Sequence, residues 1–139
     1  DLYRAGRDPV VVTMEGWRVG LSICYDLRFP ELFRIYAAQG AHLMLAPSNF
    51  TRLTGRDHWE ILVRARAIEN QVFVVAPNQC GVNVQTGVAS YGHSLAVGPW
   101  GEKRVEGGDE EAVLSVVLDP VALEEARRRV PALRHRVIG

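Results

Sequence analysis

The stretch Gly20-Leu-Ser-Ile-Cys24-Tyr-Asp-Leu-Arg28-Phe-Pro30-Glu31 decides how the rest of this chain is read. An apolar, β-branched run containing Val19, Leu21 and Ile23 ends at Cys24, and Pro30-Glu31 then opens a helix. Proline suits a first helical position because its missing N–H would have no partner there. Glu31 adds negative charge near the positive helix end. Cys24 thus falls at a strand-to-helix junction, where the chain turns sharply and backbone N–H groups point outward. Such junctions favour anionic sulfur and stabilise a developing oxyanion. A lone cysteine is otherwise a small buried hydrophobe, so from this stretch alone both readings stand.

Outward from this junction the chain alternates strands and helices. Val10–Met14 and Trp17–Ile23 read as two strands joined by Glu15-Gly16, a two-residue hairpin turn. Pro30–Gln39 reads as a helix ended by Gly40, the residue favoured just past a helix C-terminus. Ala41–Ala46 is a buried strand stopped by Pro47. Asp57 with Glu60 resembles a capping box, and predicts a helix from there to about Asn70 that buries Ile61, Leu62, Ala65 and Ile68. Gln71–Ala76, Ser94–Gly98 and Ala112–Leu118 read as further strands, the last two separated by a turn at Gly107-Gly108-Asp109. Pro120–Arg129 is a final amphipathic helix, stopped by Pro131. This order predicts an α/β fold with parallel strands covered on a face. A flavodoxin-like or Rossmann arrangement stays open on these grounds, although no Gly-x-Gly-x-x-Gly follows a strand. Residues 1–139 read as part of a single domain with no internal boundary, repeat or linker.

Composition narrows the class. The 139 residues are 47% hydrophobic with a formal net charge of zero, a globular balance with no footprint for nucleic acid or acidic membranes. The longest apolar runs, such as Val72–Pro77, are far short of a membrane span. No basic and apolar leader opens the chain, and its two cysteines read as reduced thiols, so a cytoplasmic location is expected. His42, His58, His93 and His135 show no ligand spacing, so neither a metal nor another cofactor is expected. The first residue, Asp1, hints at a fragment or a processed product.

The words around Cys24 resemble something more specific. Cys24-Tyr25-Asp26-Leu27-Arg28-Phe29-Pro30-Glu31 resembles the nucleophile segment of the nitrilase (carbon–nitrogen hydrolase) superfamily. Its Asp-Leu-Arg-Phe-Pro-Glu spelling resembles the branch of ω-amidases and deaminated-glutathione amidases. Further resemblances follow in the right order: His58-Trp59-Glu60, Arg64 to Asn70, Ala76 to Gly81, Tyr91 to Ser94, Pro99-Trp100-Gly101 and Pro131 to Arg136. The resemblance implies an αββα four-layer sandwich, of which this chain supplies roughly the second half. It implies hydrolysis of a small carboxylate-bearing amide through a cysteine thioester, by a Glu–Lys–Cys triad with a supporting Glu. Cys24 matches the nucleophile, and the Tyr25 backbone N–H an oxyanion donor. Arg28 resembles an arginine that holds a substrate carboxylate, work suited to a planar fork of donors. Phe50 and Thr54, in the Asn49–Gly55 loop, resemble pocket-lining residues. A homodimer or higher homo-oligomer through Pro30–Gln39 and Asp57–Asn70 is also implied. The family's lysine has no counterpart: the single lysine is Lys103, in a Pro-Trp-Gly-Glu-Lys turn. The resemblance places that lysine and both glutamates upstream of Asp1.

Each of these residues has a plainer reading. Arg28 equally suits an ion pair with Asp26 or Glu31, and Phe50 and Thr54 suit loop packing. Asp26 reads as a turn residue bonding nearby N–H groups. Glu69, Arg64 and Arg66 read as ion pairs at a helix end, and Cys80 as packing. For the chain as a whole the first reading is an amidase, and the alternative is a truncated or split, non-catalytic homologue kept for binding or assembly. A cysteine hydrolase of another fold, with His93 or His58 as base, fits the order of the motifs poorly.

Overall fold

A computed structural model describes Arg4 and residues 6–138. Strands β1 (Val10–Met14) and β2 (Trp17–Leu21) form the expected antiparallel hairpin, with Met14 opposite Trp17. Glu15 and Gly16 both have positive φ, 52° and 81°. This is the double left-handed geometry whose twist matches the flanking strands. Helix α1 (Pro30–Ala38) starts on its proline and closes with Gly40 at φ 77°. There Ala41 N bonds Tyr36 O and Gly40 N bonds Ala37 O, both at 3.0 Å, which satisfies the last carbonyls of the helix.

Strand β3 (Leu43–Leu45) then pairs parallel to β2, and helix α2 (Arg52–Asn70) leads to β4 (Phe73–Ala76), parallel to β3. Strands β5 (Leu95–Val97) and β6 (Lys103–Glu106) add antiparallel. The sheet order is β1-β2-β3-β4-β5-β6. It never reverses, so the switch point that defines flavodoxin-like and Rossmann sheets is lacking among the described residues. Helix α3 (Pro120–Arg129) and the short α4 (Ala132–His135) close the chain.

Alternation along the strands assigns the faces. Met44, Ala46, Val74, Ala76 and Val97 pack under α1 and α2, against Phe33, Tyr36, Trp59, Val63 and Ala67. Val19, Leu43 and Phe73 point the other way and meet Leu123 of α3. Toward the carboxyl ends this second face is thinly covered, and Leu21 is exposed. Gly20 has no side chain because the Tyr36 ring lies where one would stand: a Cβ there would meet it at 2.8 Å. No described helix is long and apolar enough to cross a membrane.

Four expectations need correction. Helix α2 begins at Arg52, not near Asp57, because Thr51 caps it: its Oγ1 accepts from Thr54 N at 3.4 Å. Asp57 instead pairs with Arg56 at 2.9 Å. The buried stripe of α2 is Trp59, Val63, Arg66, Ala67 and Asn70, while Ile61 and Ile68 are exposed. The helix ends in Gln71, left-handed at φ 51°, so β4 starts at Phe73. Residues 112–118 join no strand; β5 pairs instead with Lys103–Glu106 across a tight turn in which Gly98 N bonds Glu102 O at 2.9 Å. An apolar, β-branched run without a neighbouring edge to pair with does not make a strand.

Helix α2 also tolerates a glycine for a steric reason. A Cβ on Gly55 would lie 2.2 Å from Cγ of Tyr91. Gly55→Ala should therefore destabilise the intact protein by about 1–3 kcal/mol, against alanine's better helix propensity. Urea unfolding checks this; a stabilised variant would show the contact is loose.

Candidate active site at the carboxyl ends of the parallel strands

The three parallel strands end side by side, and the chain continues their pairing into the loops. Ser22 N bonds Leu45 O at 3.0 Å, Cys24 N bonds Pro47 O at 2.9 Å, and Ser48 N bonds Pro77 O at 2.8 Å. Loops positioned by a rigid scaffold disproportionately carry binding and catalytic residues. Cys24 sits at this edge, half-buried, with its backbone at φ 46°. A left-handed non-glycine residue costs about 1–2 kcal/mol and persists only where its surroundings hold it. Here Asp26 does so from the front: its Oδ2 accepts from Ile23 N at 2.8 Å, and its own N–H bonds Ile23 O at 3.0 Å. Asp26 is thus the turn residue its sequence position implied.

Cys24 opens a 3-10 turn, Cys24–Arg28, that leads into α1. Its Sγ accepts from the Asn49 N–H at 3.5 Å. The Tyr25 N–H belongs to the first turn of that segment, where N–H groups have no intrahelical carbonyl to bond. The Tyr25 ring is exposed and stands edge-on to Phe29 at 5.5 Å.

Arg28 forms neither of the ion pairs considered above. Among the described residues its guanidinium has no carboxylate partner; it lies 3.4 Å from Nδ1 of His58 and over the rings of Tyr25 (5.6 Å) and Phe50 (5.4 Å). Phe50 is buried, tilted against Trp59 at 5.0 Å, and its N–H is held by Asn78 Oδ1 at 2.9 Å. It is a platform rather than a mobile loop residue. Thr54 stands in the first turn of α2, not in a loop, and its hydroxyl lies 3.0 Å from that of Thr51. Its contacts are those of a helix start.

The remaining polar residues divide between ion pairs and framework. Lys103 is the first residue of β6, not part of the turn, and its Nζ lies 2.7 Å from Glu106 and 3.2 Å from Glu60. Hydrogen bonds to those carboxylates hold the Lys103 pKa above its ordinary value, and Lys103 holds the Glu106 carboxyl below its own. His93 lies between Glu106 at 3.3 Å and Asp109 at 3.2 Å. His58 turns its Nδ1 to Arg28, so both histidines are engaged elsewhere than at Cys24. Among the described residues no group of three or more His, Cys, Asp or Glu side chains could hold a metal ion.

Arg64 pairs along the helix surface with Glu60 at 3.0 Å rather than with Glu69. Arg66 does more than pair with Glu69 (2.8 Å): it is buried and donates twice to Leu27 O, at 3.0 and 2.7 Å. Sequence reasoning missed this, along with the placing of His58 beside Arg28 and the parts of Asn49 and Asn78. The one available signal was register, since Arg66 falls on the stripe of Trp59 and Val63.

Residues 1–128 match the carbon–nitrogen hydrolase family model. The deaminated glutathione amidase of Synechocystis sp. (strain PCC 6803 / GT-S) is 42% identical over 129 residues, 93% of this chain and 47% of that protein. The crystal structure of Saccharomyces cerevisiae Nit3, a member of branch 10 of the nitrilase superfamily, superposes with a TM-score of 0.90 at 37% identity, covering 97% of this chain and 49% of that one. A variant of the amidase from Nesterenkonia sp. AN1, described with the acetamide moiety of fluoroacetamide covalently added at the active site cysteine, gives a TM-score of 0.80 at 32% identity, covering 97% and 47%. The chain belongs to the carbon–nitrogen hydrolase family and has the α/β fold of the nitrilase superfamily. It spans about half the length of the curated relatives it matches. None of these relatives favours a non-catalytic binding or assembly role.

Two measurements follow from this geometry. Cys24, at the strand ends, should label with iodoacetamide faster than Cys80 in the intact protein; peptide mass spectrometry would show it, and equal or reversed rates would sink the distinction. For Glu106, the folded pKa lies below the unfolded one. Its stabilisation is therefore full above the ordinary value of 4.5 and is lost as pH falls through the folded value. Glu106→Gln should accordingly flatten the acid limb of a plot of Tm against pH.

Proposed function

We propose that the protein hydrolyses the carbon–nitrogen bond of a small, carboxylate-bearing amide through a thioester on Cys24. The observation that carries this is the pairing at one sheet edge of a cysteine held in a left-handed turn with an arginine that has no carboxylate partner among the described residues. The Cys24 thiolate attacks the amide carbonyl, and the tetrahedral oxyanion takes a hydrogen bond from the Tyr25 N–H. Collapse breaks the carbon–nitrogen bond; the nitrogen gains a proton and leaves as ammonia, with the acyl group on sulfur. Water then attacks the thioester, releasing the acid and restoring the thiol. Arg28 binds the substrate's remote carboxylate with its fork of donors, over the Phe50 ring. The name of the Synechocystis relative and the covalent cysteine adduct of the Nesterenkonia amidase support this reading.

The protons need a shuttle, and Lys103 is tied up by Glu60 and Glu106. The chain acts as the second half of one αββα domain, and the triad's glutamate and lysine come from the other half. Cytoplasmic homo-oligomers assemble through α1 and α2, where Ile61 and Ile68 present an exposed apolar stripe.

In the full-length protein Cys24→Ala should abolish ammonia release. Arg28→Lys should lower kcat/KM for acidic amides about tenfold, equivalent to ~1.4 kcal/mol, and spare neutral short amides. Equal losses on both would mark Arg28 as structural, and an active Cys24→Ala would end the thioester scheme.

A further inference from the structure

The buried stripe of α2 contains one guanidinium. Arg66 is 6% exposed, in register with Trp59, Val63, Ala67 and Asn70. A buried charge is costly unless it is paired and hydrogen-bonded, and each nitrogen of this one has an acceptor. Nη1 donates to Glu69 Oε1 at 2.8 Å, while Nε and Nη2 converge on a single acceptor, the main-chain oxygen of Leu27, at 3.0 and 2.7 Å. The guanidinium also lies over the Phe33 ring at 5.5 Å. Glu69 is steadied in turn, its carbonyl accepting from Arg34 Nη1 at 2.6 Å.

Leu27 is the fourth residue of the 3-10 turn that Cys24 opens, and its side chain is fully buried. Carbonyls at the end of such a turn have no donor within it. Two donors of a rigid fork fix this one in both distance and direction. The front of the turn is tied by Asp26 to Ile23 and Cys24 to Pro47, and its back is closed locally by Phe29 N to Asp26 O at 2.9 Å. A residue with positive φ persists only where its surroundings over-determine it, and Arg66 is the grip that α2 places on the back of this turn. We infer that Arg66 is a positioning residue that keeps Cys24 in its left-handed conformation by gripping the Leu27 carbonyl. This rests on Cys24 being the nucleophile.

The test uses the full-length protein and Arg66→Lys, which keeps the charge and the stem but cannot fork. The expected result is a fall in kcat of about tenfold or more with KM changed by less than about threefold. Cys24 should also label with iodoacetamide more slowly while Cys80 labels at its original rate. Unchanged kcat overturns the inference. So does a lower kcat with unchanged Cys24 labelling, or equal changes at both cysteines, which would report general loosening. Glu69→Gln removes the charge that holds Nη1 and weakens that grip while leaving the arginine, and decides the matter if Arg66→Lys does not fold: it should give the same selective loss, smaller, and its absence overturns the inference. An active Cys24→Ala would instead remove the nucleophile reading, whereas the labelling contrast still reports on the turn.

Discussion

Between the end of β2 and the start of α1 the backbone must turn out of the sheet within a few residues, and it does so by placing Cys24 in the left-handed region. That conformation is unfavourable for a residue with a Cβ, so it has to be enforced, and much of the surrounding structure serves to enforce it. The next parallel strand supplies the Pro47 carbonyl for Cys24 N, and Asp26 closes a reciprocal pair with Ile23. Pro30 commits the chain to a helix as soon as the turn ends. Tyr36 OH donates to Leu21 O from α1, and its ring occupies the space left by Gly20. The turn is therefore held from strand, helix and loop at once, a surplus of constraints that a merely connecting segment does not need.

The same edge gathers its neighbours by extending sheet pairing past the strands. Gln79 N reaches Ser48 O, and Asn78 bridges Phe50 N and Gly92 O. Phe50 is thereby fixed against Trp59, whose Nε1 donates to His93 O at 2.7 Å. Arg28 then lies on a floor of aromatic rings, a setting that favours a guanidinium through its attraction to the ring faces. Rigid supports beneath a few polar groups are what a small-ligand site requires.

Much of this was legible in the sequence, for identifiable reasons. Pro30, Gly40 and Glu15-Gly16 announce their turns because the physics of those positions is local. The role of Asp26 was local too. What failed depended on distant partners. Asp57 and Glu60 had the spacing of a cap, but Thr51 had the geometry. Ile61 and Ile68 suit the buried side because they are apolar, yet the helix rotates to bury Arg66, whose acceptor lies 39 residues away in sequence. Residues 112–118 are apolar and β-branched like a strand, but strands are made by partners, and β5 takes the nearer one. At the site, Cys24 and Arg28 were visible from motif words. That Arg28 has His58 beside it, and neither Asp26 nor Glu31, was not, because rotamer and neighbour are set only when α2 packs.

The strand order carries a consequence for how the sheet is assembled. Every strand is hydrogen-bonded to its neighbour in sequence, so no pairing must wait for a later segment to be inserted between two earlier ones. The β1–β2 hairpin is the cheapest closure, and each α-helical crossover then brings the next strand onto an edge already formed. Folding rates fall as contacts become more distant along the chain, because loop entropy must be lost before those contacts form. The longest irregular closure within the sheet is residues 77–94, between β4 and β5. Growth of the sheet in chain order would complete the Cys24 edge, built on β2, β3 and β4, before that loop has to close.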